Sequence, residues 1–320
     1  MEKEKVLNRS LPRVTGTQRF IRNVKQSRIL LLMCLPAVIF FFVFSYMPMP
    51  GAYIAFTNFQ YNKGIWGSPF VGLQNFRFLF ISGQLSLLLK NTVLYNLAFI
   101  VVGNVVQLAF AIMLNEVRNR YFVKVTQSLM FLPYFISDVL VSLLVYNLLN
   151  YDYGFVSNLV RSAGGVMPKL YQNAGAWPVI IVLVNLWKGT GYGTVVYFAA
   201  ITGIDTSMME AAQIDGANGW QRIRYITLPC LKPTVVILFL FAIGGILKGN
   251  FGLFYNLVGN NSMLFGTTDI IETYVYRAMM NSFNFAQSSA VGLFQSVVGF
   301  FIVLGANALV KRIEPDMALF

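Results

Sequence analysis

The sequence of 320 residues contains no histidine and only two cysteines. Without histidine, the commonest general base and a frequent zinc ligand are missing, and no cysteine or carboxylate cluster has metal-ligand spacing. A phosphate-binding loop of the form G-x-x-x-x-G-K-[ST] is also absent. These absences argue against a metalloenzyme and against nucleotide hydrolysis, so we expect a non-catalytic chain that holds no cofactor of its own.

Charged residues are scarce as well. They make up 11% of the sequence, against 57% hydrophobic residues and a mean hydropathy of +0.63. A helix of roughly 20 apolar residues crosses a hydrocarbon core of about 30 Å. We therefore predict a basic tail, 1–28, and an all-α transmembrane domain, 29–320, with six spans at about 29–50, 92–114, 126–148, 177–200, 234–257 and 288–310.

Lysine and arginine are unevenly distributed around these spans. Sixteen lie in the tail, the loops 115–125 and 201–233 and the C-terminus, whereas six lie in the longer alternate loops. Basic loops remain cytoplasmic, so both termini are predicted to be cytoplasmic. The net charge of +12 is then explained by topology and anionic lipid headgroups, without nucleic acid. The apolar run from Ile29 is too long for a signal-peptide core and is predicted to be a retained span.

The loop 201–233 carries a specific pattern in which E-A-A precedes D-G-A, and L-P follows about a dozen residues later. The residues of this pattern are Glu210, Ala211, Ala212, Asp215, Gly216, Ala217, Leu228 and Pro229. A polar loop with helical segments could simply lie on the membrane surface. The alternative is a docking segment for another protein, and the resemblance described below favours it.

Local patterns predict the shape of this loop. Asp205, Thr206 and Ser207 are helix-capping residues, and Ser207 with Glu210 has capping-box spacing, so a short helix is expected to begin there. Gly216 is expected to supply a bend. A second segment, 218–227, repeats Trp220, Ile223 and Ile226 at helical spacing and is predicted to end at Leu228-Pro229. An amphipathic helix pair of this kind fits a groove on a partner.

The coupling motif resembles that of importer permeases driven by ATP-binding cassettes, and further motifs resemble the polysaccharide-permease branch of the carbohydrate importers. These motifs are F-S-Y-M-P-M-P-G at 44–51, G-S-P-F-V-G-L-Q-N-F at 67–76, N-T at 91–92, L-N-E-V at 114–117, L-P-Y-F-I-S at 132–137 and E-T-Y-V-Y-R at 272–277. The resemblance covers nearly the whole chain.

This resemblance implies a type I importer in a bacterial, Gram-positive plasma membrane. It implies a second permease subunit, with a heterodimer favoured, two ATPase subunits that bind ATP and magnesium, and an extracellular solute-binding protein that delivers an oligosaccharide. In the family, the glutamate of the loop helps to seat the coupling helix in the ATPase, which assigns that role to Glu210. ATP binding would then move the coupling helices and switch the permease pair between inward-facing and outward-facing states.

Three charged residues fall near the middle of predicted spans. Counting along continuous helices places Asp138, Lys188 and Lys248 about 18, 17 and 21 Å from the start of their spans. Such charges are expected to face a cavity or one another rather than lipid. In one interpretation Asp138 pairs with one lysine and the other is structural. In the alternative, an unpaired lysine meets an anionic substrate group, such as the carboxylate of a uronic acid.

Polar and aromatic residues close to the two lysines are candidates for sugar binding. They are Trp187, Tyr192, Asn250, Phe251 and Tyr255. Packing between helices is the alternative role for the aromatic rings. Asp138 departs from the family pattern, in which an uncharged residue follows F-I-S. Two further functions stay open: a permease of the same kind for another solute, and a self-contained secondary transporter or channel without an ATPase.

Overall fold

The computed structural model describes residues 27–313, which fall into two compact units divided after Tyr53. The predicted basic tail therefore lies outside the described residues, except for Ser27 and Arg28. Within residues 27–313 the regular secondary structure is helical, apart from one isolated antiparallel bridge between Thr57 and Phe70. The predicted all-α fold is confirmed.

Twelve helices are named here in chain order. They are α1 (Arg28–Phe41), α2 (Gln74–Ile81), α3 (Gln84–Glu116), α4 (Arg120–Phe131), α5 (Asp138–Leu149), α6 (Phe155–Ser162), α7 (Trp177–Thr202), α8 (Thr206–Ile214), α9 (Gly219–Gly244), α10 (Phe251–Val258), α11 (Ile271–Met280) and α12 (Phe285–Ile313). Shorter helical segments are Phe42–Tyr46, Met49–Phe56, Gly64–Gly67, Leu132–Phe135, Leu170–Gln172, Ala174–Ala176, Ser262–Leu264 and Phe265–Thr268. Judged by length and composition, five helical segments of the described residues could cross a membrane, or six if one bent pair counts as a single span.

In the first unit, α1 contains Pro36 and continues directly into the wider turn Phe42–Tyr46. Proline lacks the N–H that a helix interior uses, so a helix that contains it must do without one backbone hydrogen bond. The apolar helix is nevertheless continuous, and its sequence has no acidic residue in the first turn and no basic residue in the last.

Three hydrophobic clusters hold the second unit together. One joins α3, α5, α7 and α10 through side chains that include Tyr95, Val141, Trp177 and Phe254. Another joins α2, α3, α11 and α12. The last joins Ala111 of α3, Tyr197 of α7 and Leu231 of α9.

These clusters also define the two ends of the helix bundle. Leu85 of α3 packs with Ala290 of α12, and Tyr95 packs with Trp177, so α3, α7 and α12 all begin at the same end. Ala111 packs with Ile201 at the other end, where α7 stops and α8 begins. The segment between α7 and α9 therefore lies at the end opposite the starts of α3 and α12.

The predicted third span is not one continuous helix. The segment Arg120–Phe135 meets α5 at 97°, with Ile136 and Ser137 between them. Pro133 removes a backbone donor, and the hydroxyl of Ser137 accepts from Leu140 N at 3.3 Å to start a new helix. Asp138 thus lies in the first turn of a helix rather than in the middle of one, and the prediction that it belongs to one continuous helix is wrong.

The predicted fifth span is also interrupted. Helix α9 stops at Gly244, the backbone is irregular to Asn250, and α10 begins only at Phe251. Two adjacent glycines, Gly244 and Gly245, weaken the helix, and the Asn250 side chain accepts from Leu253 N at 3.1 Å to cap the next one. Lys248 therefore lies in a break between helices, and its predicted position within a continuous helix is wrong.

Candidate translocation and coupling sites

The segment between α7 and α9 forms the helix pair that the loop pattern predicts. Asp205 caps α8, because its carboxylate accepts a 2.9 Å hydrogen bond from Ser207 N. The capping box predicted for Ser207 and Glu210 is wrong, because Asp205 and not Ser207 occupies the N-cap position of α8. The Ser207 backbone N–H holds the pKa of the exposed Asp205 carboxyl below its usual range.

The turn after α8 depends on glycine. Gly216 has φ +81°, a conformation that residues with a Cβ disfavour, and Ala217 N donates to Ala212 O at 2.9 Å to close the helix end. The predicted bend at Gly216 is therefore confirmed. Asn218 and Gln221 then form a reciprocal capping box, with bonds of 2.9 and 2.8 Å, that starts α9.

Helix α9 does not end at Leu228-Pro229, so that prediction is wrong. The helix runs from Gly219 to Gly244 and contains Pro229 and Pro233. A π-helical turn, Ile223–Thr227, directly precedes Leu228, whose N–H donates to Ile223 O. This wider turn changes the hydrogen-bond pattern just before Pro229, which allows the helix to continue despite the missing donor.

The surface of the helix pair exposes both charge and apolar groups. Glu210 is exposed, and it has no hydrogen bond or ion pair within residues 27–313. Ile214 is 87% exposed and Trp220 is 67% exposed. A cavity of about 420 Å³ lies between α8 and the start of α9, lined by Ala212, Asp215, Gly216, Ala217, Gln221, Arg222, Tyr225 and Ile226. Exposed apolar side chains around a cavity are typical of a protein-binding surface.

The charged residues of the predicted pathway are partly brought together. Lys188 Nζ of α7 forms an ion pair with Asp138 Oδ1, and both side chains are mostly buried, with exposed fractions of 19% and 23%. Oδ2 of the same carboxylate closely approaches Gly252 in the first turn of α10, where a Cβ would collide with it. Three helices thus meet at Asp138.

Lys248 has a different environment. Its side chain is exposed, and its ammonium has no hydrogen bond or ion pair among the described residues. The backbone around it is fixed by long-range contacts: Asn96 Nδ2 donates to Ile246 O at 2.9 Å and to the carbonyl of Lys248 at 3.3 Å. The break therefore holds one unpaired cation on an ordered backbone.

Residues that sequence reasoning did not assign to a site hold the other side of this break. Glu272 Oε1 of α11 accepts from Gly249 N and from Gln295 Nε2, both at 2.7 Å, and Gln295 Nε2 also donates to Leu247 O at 2.5 Å. The second carboxylate oxygen of Glu272 is buried without a hydrogen-bond partner in the described part of the chain. A carboxylate and an amide within apolar segments are the pattern that could have identified them.

The aromatic candidates separate into two clusters. Phe251 and Tyr255 of α10 stack at 5.1 Å between ring centroids, and Tyr276 of α11 lies 4.9 Å from each. Tyr192 of α7 stacks on Tyr134 at 5.1 Å, on the side of α4. Trp187, which is 44% exposed, lines an apolar cavity of about 360 Å³ with Phe110, Leu129, Met130, Pro133 and Thr190.

Interrupted spans with charged and aromatic side chains at the breaks, together with an exposed helix pair at one end of the bundle, are features of a membrane transport subunit. Residues 100–318 match the family described as binding-protein-dependent transport system inner membrane component. The chain belongs to this family.

Two relatives from Bacillus subtilis (strain 168) match almost end to end. The polygalacturonan/rhamnogalacturonan transport system permease protein YteP is 37% identical over 299 residues, which cover 93% of this chain and 92% of the relative. Protein LplB is 32% identical over 293 residues, with 92% of each chain covered.

The fold matches a chain of a bacterial alginate ABC transporter, solved in complex with an alginate pentasaccharide-bound periplasmic protein. The TM-score is 0.83 at 33% identity, and the match covers 92% of this chain and 98% of the other. The fold predicted from the sequence, that of a type I importer permease, is confirmed.

Proposed function

We propose that this chain is a membrane-spanning permease subunit of an ATP-driven, binding-protein-dependent importer of oligosaccharides that carry uronate groups. The single observation that carries the charge preference is Lys248, an exposed cation without a partner at the break between α9 and α10. The names of similar proteins support the substrate class, since polygalacturonan and alginate are both acidic polysaccharides.

The proposed function also defines the partners of the chain and its orientation in the membrane. A second permease, favoured to be a different chain, completes the pathway, two ATPase subunits bind ATP and magnesium, and an extracellular protein delivers the sugar. Both termini and the helix pair face the cytoplasm of a bacterial, Gram-positive cell, in agreement with the distribution of basic residues. The chain itself carries out no chemistry.

In this proposal the helix pair, α8 and the start of α9, docks on an ATPase. Glu210 supplies the charge, Ala211 and Ala212 allow close approach, and Gly216 permits the turn. The continuity of α9 supports the coupling, because its 26 residues extend about 39 Å from this docking segment to the break. Movement of the docking segment can therefore be transmitted along one helix to Lys248.

The two lysines have separate roles in this account. Lys188 neutralises Asp138 and orients α5 against α7, which makes it structural. Lys248 attracts the carboxylate of a passing uronate residue, and the ring faces of Phe251 and Tyr255 flank the start of α10, where sugar rings can stack. An unpaired ammonium favours an anionic substrate over a neutral one of the same size.

The test is uptake by a strain that lacks the chain, complemented with wild type, Lys248→Met or Lys63→Met. Lys63 is an exposed lysine outside the candidate pathway and serves as the matched control. Oligogalacturonate and a neutral oligosaccharide of equal length are compared, and we expect Lys248→Met to lower uptake of the acidic sugar about tenfold or more.

The other possible outcomes of this experiment distinguish the role of Lys248, the substrate class and the need for an ATPase. Equal losses for both sugars in Lys248→Met would make this lysine structural. Import of neither sugar by wild type would indicate a permease for another solute. Uptake that continues in the absence of the ATPase would favour the self-contained transporter.

A further inference from the structure

The loop between α11 and α12, residues 281–284, lies at the end of the bundle opposite the helix pair, because α12 begins beside the start of α3. Two backbone hydrogen bonds close this loop. Ser282 N donates to Arg277 O at 3.3 Å, and Asn284 N donates to Ala278 O at 2.9 Å. The backbone on both sides of the intervening residue, Phe283, is therefore held by hydrogen bonds.

Phe283 combines two unfavourable features. It has φ +50°, which makes it the non-glycine residue with a left-handed conformation among residues 27–313, and its side chain is 74% exposed. Glycine would adopt the same backbone conformation without the steric conflict of a Cβ. Contacts within the described part of the chain compensate neither for the strained backbone of Phe283 nor for the exposure of its ring to water. Strained residues of this kind are concentrated at functional contacts.

A cavity of about 380 Å³ opens beside Phe283. Amide side chains line it from the loop and from the two helices beside it: Asn281 and Asn284 of the loop, Gln84 at the start of α3 and Gln287 in the first turn of α12. Arg277 and Asp269 also line the cavity, and they form an ion pair at 2.5 Å, so the lining carries no net charge. The surface is thus an exposed aromatic side chain next to a pocket that has no net charge and many hydrogen-bonding groups.

We infer that Phe283 and this amide-lined cavity form the docking surface for the solute-binding protein, an inference that rests on the proposed function. An exposed aromatic side chain beside polar groups that carry no net charge has the composition of a protein-binding hot spot. The family to which the chain belongs is binding-protein-dependent, and the surface lies at the end away from the segment proposed to bind the ATPase. A binding site for an acidic sugar would be expected to contain an unpaired cation. Arg277 is instead paired with Asp269, which favours a protein over the sugar as the occupant.

The experiment uses the complete transporter in nanodiscs, and it measures the ATPase rate against the concentration of binding protein. The probe is the solute-binding protein of the same organism, isolated on immobilised oligogalacturonate and loaded with that sugar. The variants are Phe283→Gly, which relieves the backbone strain, and Phe283→Ala, which keeps it. Tyr121→Ala is the matched control, because Tyr121 is 77% exposed and lies at the other end of the bundle, in the first turn of α4.

Both Phe283 variants are expected to raise the half-maximal concentration of binding protein about tenfold or more, with the maximal rate retained. The melting temperature of Phe283→Gly should equal or exceed that of wild type, so the loss of docking cannot be attributed to unfolding. Tyr121→Ala should leave the half-maximal concentration unchanged.

Normal half-maximal stimulation of Phe283→Gly would overturn the docking surface and leave the proposed function intact. An unchanged half-maximal concentration together with reduced sugar uptake would assign the cavity to the sugar instead, which also overturns the inference. A wild-type transporter that the binding protein does not stimulate would contradict the proposed function, and the docking surface with it.

Discussion

Lys188 of α7 forms an ion pair with Asp138, the first residue of α5, although 50 positions separate them in the sequence. The contact joins a continuous helix to the second half of a broken one. Since the carboxylate also abuts Gly252 of α10, it lies where three helices converge. Of the two lysines predicted for the pathway, Lys188 is therefore paired, whereas Lys248 has no ion-pair partner among the described residues.

Breaking this pair from one side should destabilise the permease. In Lys188→Met the carboxylate of Asp138 stays mostly buried without its counter-ion, which we expect to cost about 1–3 kcal/mol of unfolding free energy. The double variant Asp138→Asn with Lys188→Met removes both charges and should recover most of that loss. Thermal unfolding of the purified permease in detergent measures both effects. Equal melting temperatures for wild type and Lys188→Met would show that the ion pair does not stabilise the fold.

Reversing the charge of Glu210 should separate the permease from its ATPase. Glu210→Lys places a cation on the exposed face of α8, so we expect at least tenfold less ATPase to co-purify while the permease remains folded. Glu116→Lys is the matched control, since Glu116 is an exposed glutamate at the same end of the bundle, at the close of α3. Similar losses in both variants would point to a general effect of charge at this end.

The turn at Gly216 offers a second test of the same docking segment. Gly216→Pro cannot adopt φ +81°, because proline is restricted to about −65°, so α8 should change direction and ATPase should again be lost. Gly164 has a nearly identical φ of +79° in the loop after α6. Gly164→Pro should therefore disturb its own loop and retain the ATPase in the co-purification. Retention of ATPase by Gly216→Pro would contradict the docking role of this segment.

Long uninterrupted apolar runs made the helical membrane fold predictable from the sequence. Helices α3, α7 and α12 contain the predicted ranges 92–114, 177–200 and 288–310, since these runs have no paired glycines and their one proline, Pro178, lies in the first turn of α7, where it is tolerated. Hydrophobicity alone does not detect a change of direction. The breaks at Ser137 and at Gly245 depend on the capping side chains of Ser137 and Asn250. A single polar residue of this kind does not shorten the apolar run around it, so hydropathy gives no sign of the break.

The candidate site was less predictable because long-range contacts build it. The sequence offered a pair between Asp138 and one of the two lysines as one interpretation, but it did not indicate that the partner is Lys188. Glu272 and Gln295 hold the backbone of a segment more than twenty residues away, and no local pattern indicates which backbone they reach. The roles of the predicted coupling and pathway residues remain predictions that the variants test.

The cap of α8 should respond to pH with a defined sign. The folded-state pKa of Asp205 lies below its usual value, so the ionised cap stabilises the helix start above the ordinary aspartate pKa. This stabilisation is lost as the pH falls through the lowered folded-state pKa. Amide exchange at Ser207, followed by mass spectrometry in nanodiscs, should be faster in Asp205→Ala than in wild type at neutral pH.

Asp205→Asn provides the control for this titration. Its amide oxygen can accept the same hydrogen bond but does not titrate, so its exchange should show no such pH-dependent change in protection. Wild type and Asp205→Asn should therefore be alike at neutral pH and diverge in acid. Identical pH profiles for the two proteins would show that the carboxylate charge does not contribute to the cap.

Gly249 tests whether the break before α10 needs close contact with α11. A Cβ at this position would lie 2.5 Å from Glu272 Oε2 and 2.5 Å from Ile270 Cδ1, so both side chains would have to move. Gly249→Ala is therefore expected to lower the unfolding free energy by about 1–3 kcal/mol and to reduce sugar uptake. Thermal unfolding and uptake are measured on the same preparations.

Gly299 is the matched control because it lies inside α12 and a Cβ there meets nothing within 4 Å. Gly299→Ala should keep or raise the melting temperature, since alanine is the better helix former by about 1 kcal/mol. The two substitutions add the same methyl group, so opposite shifts would separate steric conflict from helix propensity. If Gly249→Ala also kept the wild-type melting temperature, Glu272 would have room to move, and its hold on the break would be loose enough for the segment around Lys248 to rearrange during transport.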